Sequence, residues 1–335
     1  MLKPLNLYID LGTTNTSIYL KKRGFAVNEP SLLALKKTAS RSQLLAHGAV
    51  AKSMLGKTPL HSRVYKPLQE GVISDFDRSS EMLRSFLERL KENLFWMKPQ
   101  MVISLPHKVT RHERQAVEDV GLAMGAGKVE LLDEPIAAAL GAGLPVLEPR
   151  GQMIVDIGGG TTEAAIISLG GIVRAEAMRL GGESLDQEII QHLRQRFNFL
   201  IGEQTSESLK KAVASALPQN SLGLEIGGVD LTDGLPKRKL VTSQMIFPVI
   251  DKFTLHLCGL IKRLFEDCPE ELASDLVRDG MTLAGGTSLL NGLSERLLME
   301  TGLKVTVAKQ PQLAVAQGGS IALDTPSLLE KVKSA

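Results

Sequence analysis

Residues 153–162 read MIVDIGGGTT, and residues 5–16, LNLYIDLGTTNT, repeat the same design. In each segment an apolar strand ends on an aspartate, Asp156 or Asp10, and runs into a turn rich in glycine and threonine. A second strand follows at residues 164–169 and 16–20, so each segment reads as a β-hairpin. Further strand-like sequence comes next, at 172–177 and 32–35. Later each half offers strand, loop and helix: 101–105 then 111–123, and 281–284 then 288–299. This parallel order predicts a duplicated α/β unit, two lobes facing each other across a ligand cleft.

Composition bounds the alternatives. A chain of 335 residues holds about two domains at roughly 150 residues each, with cores that need no covalent staples. Its 43% hydrophobic and 23% charged residues exclude wholesale disorder, collagen and coiled coil. Thirty-nine basic residues against 37 acidic ones leave a net +2, too balanced for a chain whose main partner is a nucleic-acid backbone. Cys258 and Cys268 cannot build a disulfide scaffold or a four-ligand zinc site, and they fit a reducing compartment. Residues 1–6 are too short for a signal peptide, and no apolar run is read as a membrane span, so a cytosolic globular protein is expected. The six histidines show no metal spacing. Gly56-Lys57-Thr58 is not a P-loop, because position 51 is alanine and Pro59 follows.

Glycine is the unusual residue. Of thirty-one, many gather in short clusters beside apolar runs, at 158–160, 181–182, 285–286 and 318–319 among others, where they serve turns or let a ligand approach the backbone. A phosphate chain needs many hydrogen-bond donors with no side chain in the way, and such turns supply them as backbone nests. Two matched hairpins can clamp the β- and γ-phosphates from both sides, through Gly12, Thr13, Thr14 and Asn15 and through Gly158, Gly159, Gly160 and Thr161. Each also delivers a carboxylate, and Asp10 with Asp156 beside a triphosphate is what Mg²⁺ accepts, largely through its waters. Glu134, in DEPIAAALG at 133–141, starts a helix with Pro135 in its first turn, and Asp133 is the better cap. There Glu134 could orient or deprotonate a water attacking phosphorus. Gly285, Gly286 and Thr287 form a turn that can lie against a flat ring or a ribose. Glu207 and Lys210, on a helix expected at 206–216, could bind the sugar or base edge or could form an ordinary salt-bridged face. Helices are also expected at 79–91, capped by Asp77 or Ser79, at 184–197, and at 244–265, where Pro248 sits near the start and Cys258 in the core. Lys237-Arg238-Lys239 reads as a solvated basic loop that could touch anionic lipid or a partner.

The motifs resemble those of the actin and DnaK-type ATPase superfamily: DLGTTNT (10–16), DEPIAAALGAG (133–143), DIGGGTTE (156–163) and AGGTSLL (284–290). Within it NEPS (28–31), GKTP (56–59), GVISDFD (71–77), GAGLPV (141–146), GGES (181–184) and LIGEQTSESLK (200–210) are similar to the MreB family of bacterial actin-like cytoskeletal proteins, over residues 5 to about 325. The resemblance implies a duplicated, ribonuclease H-like α/β fold of four subdomains: 1–32, 66–142 and 315–335 (IA), 33–65 (IB), 143–179 and 252–314 (IIA), and 180–251 (IIB). It implies ATP with Mg²⁺, slow hydrolysis coupled to polymerisation into paired protofilaments, and filaments under the inner membrane that organise cell-wall synthesis with transmembrane elongation proteins. Asp10 and Asp156 then become metal-side carboxylates and Glu134 the catalytic base, while Glu207, Lys210, Gly285 and Gly286 become adenosine contacts.

The chain departs from the family at Thr14, commonly alanine, at Ala284, commonly glycine, and at Asp133, commonly glutamate. The amphipathic N-terminal helix of many relatives has no counterpart in the six residues before the first strand. Leu94-Phe95-Trp96-Met97, with the only tryptophan and with Lys91 and Lys98 on either side, would serve instead as a membrane-inserting tip. The alternatives are a sugar- or acetate-type kinase on the same fold, a filament protein for organelle positioning, a chaperone ATPase for whose peptide-binding region there is no room after Gly319, and a non-hydrolysing scaffold, against which Asp10, Glu134 and Asp156 argue.

Overall fold

The structure, a computed structural model, describes residues 6–37, 42–90, 98–218 and 222–334. Residues 94–97, the expected membrane tip, lie outside the described residues. Leu7–Leu11 pairs antiparallel with Asn15–Leu20, which pairs antiparallel with Gly24–Pro30. On its other edge Leu7–Leu11 runs parallel to Gln100–Leu105, and that strand parallel to Lys128–Asp133. The second sheet has the same plan: Gly171–Met178, Thr162–Ser168 and Gln152–Ile157 antiparallel, then Met281–Ala284 and Val305–Val307 parallel. The duplication predicted from the two hairpins is therefore present strand for strand. In register, Asp10 faces Ser17 and lies beside Ser104, while Asp156 faces Glu163 and lies beside Ala284.

The counterpart of the strand at 172–177 is Gly24–Pro30, not residues 32–35. Pro30, which has no N–H for a ladder, closes that strand, and Leu33–Lys37 opens a separate sheet with Ser42–His47 and Ser62–Tyr65. Helix ends also shift. Phe76–Glu88 is capped by Asp75, which accepts from Arg78 N at 2.9 Å, rather than by Asp77 or Ser79. Arg111–Ala123 matches its expected bounds and carries a capping box between Thr110 and Glu113. Glu203–Val213 starts three residues before the expected 206. The span 288–299 divides into a 3₁₀ turn, Gly286–Leu289, and a helix, Leu293–Thr301, because Gly292 takes φ 72°. The basic run 237–239 lies on the strand Pro236–Thr242, not in a loop: Lys237 pairs with Asp230 and Asp233, and Lys239 lies over the rings of Phe197 and Phe199. Ser243–Leu264 is long and apolar enough to cross a membrane, contrary to the expectation that no run reaches that length. Ile246, Ile250, Leu257 and Ile261 nevertheless bury one face of it in the second core, and Cys258 sits there as expected.

Three apolar layers hold the sheets. Leu7, Ile9, Met101 and Ile103 pack on Met82, Leu83 and Phe86 of the helix Phe76–Glu88. The outer face of the second sheet packs on Ser243–Leu264. Between the sheets, Tyr8, Val102 and Leu132 meet Ile154, Ala165 and Ile167 around the helices Glu134–Gly141 and Ala314–Asp324. Both faces of each central strand are thus dry, which is why these strands read as unbroken apolar runs. The two middle helices touch main chain to main chain: a Cβ on Gly318 would overlap Ala137 O, and one on Gly141 would overlap Ala314 O. The alanine run and the 318–319 glycines are therefore packing features, and they fix where Glu134 starts its helix.

Candidate functional site

The turns of the two hairpins meet at the centre of the molecule. Gly159 stands against Thr14 and Gly160 against Thr13, so closely that a Cβ on either glycine would overlap the threonine side chain. Close approach, not only turn geometry, requires glycine here. Neighbouring segments fix both turns. Ser31 Oγ donates to Gly12 O at 2.6 Å, and Gly71 N donates to Thr13 Oγ1 at 2.9 Å. Thr287 Oγ1 donates to Gly158 O at 3.0 Å, and Gly182 N and Glu183 N donate to Gly158 O and Gly159 O.

Around this contact lies a cavity of about 700 Å³, within the range of sites for small ligands. Every candidate for phosphate, adenosine, metal or catalytic duty lines it: Asp10, Gly12, Thr13, Thr14, Asn15, Glu134, Asp156, Gly158, Gly159, Gly160, Thr161, Glu207, Lys210, Gly285, Gly286 and Thr287. Sequence reading did not single out Lys52, Lys66, Glu183, Asp186, Glu203 or Gln204, which also line it. Several fall inside motifs quoted above, but nothing in their spacing marks them.

The floor of the cavity is acidic. Asp10 and Asp156 are enclosed deep in the cleft, and loss of solvation, joined at Asp10 by repulsion from Asp156, pushes both up to about 7. Ser104 Oγ donates to Asp10 Oδ1 at 3.3 Å and partly offsets this. Asp156 Oδ1 is enclosed without a hydrogen-bond partner. Glu134 is 9% exposed, and burial, then the Glu163 charge, raise it well above the usual carboxylate range. Glu163, a buried acid that sequence reading left without a role, is pushed up to about 7 by burial, and it accepts from His107 N at 3.1 Å. Its signal was countable: it is the residue opposite Asp156 in the hairpin. Asp133 does not cap its helix by side chain; its Oδ1 accepts from Ser334 Oγ at 3.0 Å, and its Oδ2 lies 3.2 Å from His107 Nδ1.

Acids crowded into low dielectric call for a cation. No cluster of three or more His, Cys, Asp or Glu able to cage a metal occurs among the described residues. Two carboxylates, one with an enclosed oxygen lacking a partner, fit a hydrated divalent ion that takes its remaining ligands from water and phosphate. On the far side of the cavity Glu207 Oε2 lies 2.8 Å from Lys52 Nζ, and Glu207 Oε1 also pairs with Lys211. Burial would raise the Glu207 carboxyl, but the Lys211 and Lys52 ammonium groups outweigh it and bring it down to about 2. Lys210 Nζ lies 2.8 Å from Asp186 Oδ2. The charges of this helix face are paired, as an ordinary salt-bridged face would have them, and the same side chains line the cavity.

The sequence model described as MreB/Mbl protein matches residues 5–331. The cell shape-determining protein MreB of Escherichia coli (strain K12) is 41% identical over 323 residues, 95% of this chain and 93% of that protein. The cell shape-determining protein Mbl of Bacillus subtilis (strain 168) is 37% identical over 326 residues, 97% of each. The crystal structure of MreB 5 of Spiroplasma citri bound to AMPPNP superposes with a TM-score of 0.92 at 33% identity, covering 99% of this chain and 98% of that one. The same Spiroplasma protein bound to ADP superposes with a TM-score of 0.90. These matches support the actin-like fold and leave the kinase alternative without support. The duplicated sheets, the facing hairpins and this end-to-end likeness place the chain in the MreB/Mbl protein family.

Proposed function

We propose that this chain is an ATP-dependent, filament-forming protein that helps determine cell shape in a bacterium. The observation that carries the reading is the contact of the two turns, Gly159 on Thr14 and Gly160 on Thr13, which gathers donors from both halves of the chain around one cavity. In it the backbone N–H groups and hydroxyls of residues 12–15 and 158–161 hold the β- and γ-phosphates. Glu207, Lys210, Gly285, Gly286 and Thr287 hold the adenosine. Asp10 and Asp156 hold Mg²⁺ through its water shell, and the ion would supply charge neutralisation at the phosphates. Glu134 orients the attacking water and takes its proton. Burial suits Glu134 to that step, because a carboxylate raised toward neutrality is a stronger base than a solvated one. The division into IA, IB, IIA and IIB at the boundaries given above belongs to the same reading.

Self-association into paired protofilaments, attachment to the inner face of the cell membrane through Leu94 to Met97, and contact with transmembrane elongation proteins complete the proposal. Sedimentation and negative-stain microscopy of the purified chain, with ATP and Mg²⁺ and with or without anionic liposomes, test it. Filaments that require nucleotide are expected, with liposomes co-pelleting. Loss of co-pelleting in Phe95→Ser with Trp96→Ser, filaments being kept, identifies the membrane tip. A monomer under every condition overturns the filament reading.

A further inference from the structure

Two lysines from the first half of the chain cross the mouth of the cavity and end on carboxylates of the second half. Lys52, on the helix Gly48–Ser53, places Nζ 2.8 Å from Glu207 Oε2. Lys66, just past the strand Ser62–Tyr65, places Nζ 3.0 Å from Glu203 Oε2 and 3.2 Å from Glu183 Oε2. Between them Gln204 Nε2 donates to the main-chain oxygens of Lys52 at 2.6 Å and Leu55 at 3.3 Å. The first two turns of Glu203–Val213 are thus strapped to the facing segment at several points. The lysines and their partners keep 23–45% of their side-chain exposure, which puts the strap at the solvent rim of the cavity and not on its floor.

Each lysine also reaches inward through its partner. Glu207 belongs to the group assigned to adenosine. Glu183 Oε1 accepts from Thr14 Oγ1 at 3.3 Å, in the turn assigned to phosphate. A cation that pulls Glu207 or Glu183 across the mouth therefore brings both ends of the ligand site together. Opening the mouth breaks the Lys52, Lys66 and Gln204 contacts at once, and among the described residues Lys66 is the one cation paired with Glu203.

We propose that Lys52 and Lys66 are positioning residues that close the cleft over bound nucleotide and set how fast it leaves. The inference rests on the nucleotide reading above and adds to it the residues that govern residence time. Partly exposed ion pairs of this kind each shift an equilibrium by up to about fivefold and weaken with salt.

The test is the release of a fluorescent ATP analogue, loaded with Mg²⁺ on the full chain and chased with unlabelled ATP in stopped flow. Lys66→Glu is expected to speed release about five- to tenfold. Lys66→Glu combined with Glu203→Lys is expected to restore about half of the lost residence time, because the new carboxylate regains an opposite charge at position 203 while still facing Glu183. Gln204→Ala should speed it about two- to threefold, and added salt should speed release from the parent more than from Lys66→Glu. Parental release in a folded Lys66→Glu chain overturns the proposal, as does fast release that the charge swap does not slow at all. Should Lys66→Glu fail to fold, an unchanged rate in Gln204→Ala overturns it. A parent chain that loads no nucleotide overturns the nucleotide reading itself, and is distinguished by the absence of any signal to chase.

Discussion

Lowering the pH of the nucleotide-free protein from about 8 to about 6 should stabilise it, the reverse of the usual behaviour of carboxylates. Asp10, Asp156 and Glu163 are held near 7 in the folded chain, against ordinary values of 3.8, 3.8 and 4.5. Between those limits the folded form keeps protons that the unfolded chain has released. Stability therefore falls as pH rises through about 7, and the gain on acidification saturates near the unfolded values. Over the two pH units around 7, one such group passes from about one-tenth to about nine-tenths protonated, worth on the order of 1 kcal/mol. Three groups that repel one another protonate in succession, so the total should be on the order of 1 to 4 kcal/mol, or a few degrees in a melt for a chain of this length. Differential scanning fluorimetry across this range, with and without Mg²⁺ and AMPPNP, reads the effect. The metal–nucleotide complex should flatten the slope, because a cation among these acids favours their charged forms. Asp156→Asn should raise the melting temperature of the empty protein at pH 8 and reduce its pH slope. An empty protein that loses stability between pH 8 and 6, or an Asp156→Asn slope equal to the parent's, refutes the account of an acidic floor awaiting a cation.

Two further outcomes follow from the site. Glu134→Gln keeps the shape of the buried carboxyl but cannot take a proton, so phosphate release should slow by about 10²–10⁴-fold while AMPPNP affinity changes less than about threefold; equal losses in both would assign Glu134 to binding instead. Gly159→Ala sets a methyl group into Thr14 and must part the two turns, so isothermal titration should show nucleotide affinity down at least about 100-fold in a chain whose far-ultraviolet circular dichroism is unchanged. Near-parental affinity there would mean that the turns need not touch to hold phosphate.

Much of this was legible in the chain itself. The twin motifs with Asp10 and Asp156 announced the duplicated sheet, because an apolar run ending on an acid before a glycine-rich turn is a local pattern, fixed by backbone sterics and strand burial. The local order of hairpin, strand and helix likewise placed the candidates of the two hairpins and of 285–287 on turns or strand ends, Glu134 at a helix start and Glu207 with Lys210 on a helix, and folding then brought them together. Local signals failed where the deciding neighbour is distant. The third strand was misplaced because Gly24–Pro30 owes its identity to pairing with Asn15–Leu20, with only 44% exposed Phe25 and buried Val27 to hint at it. The glycines at 318–319 looked like a possible ligand turn, yet only the crossing with Glu134–Gly141 gives them their purpose. Asp133 has the residue type of a helix cap, yet its oxygen is taken by Ser334, two hundred and one positions away. Sequence alone determined the chemistry of the groove, since backbone donors and paired acids sit at fixed offsets along the strands. Tertiary structure alone decided how the groove shuts, because Lys52 and Lys66 carry no local mark and acquire meaning only when folding sets Glu207, Glu203 and Glu183 within about 3 Å of their ammonium groups.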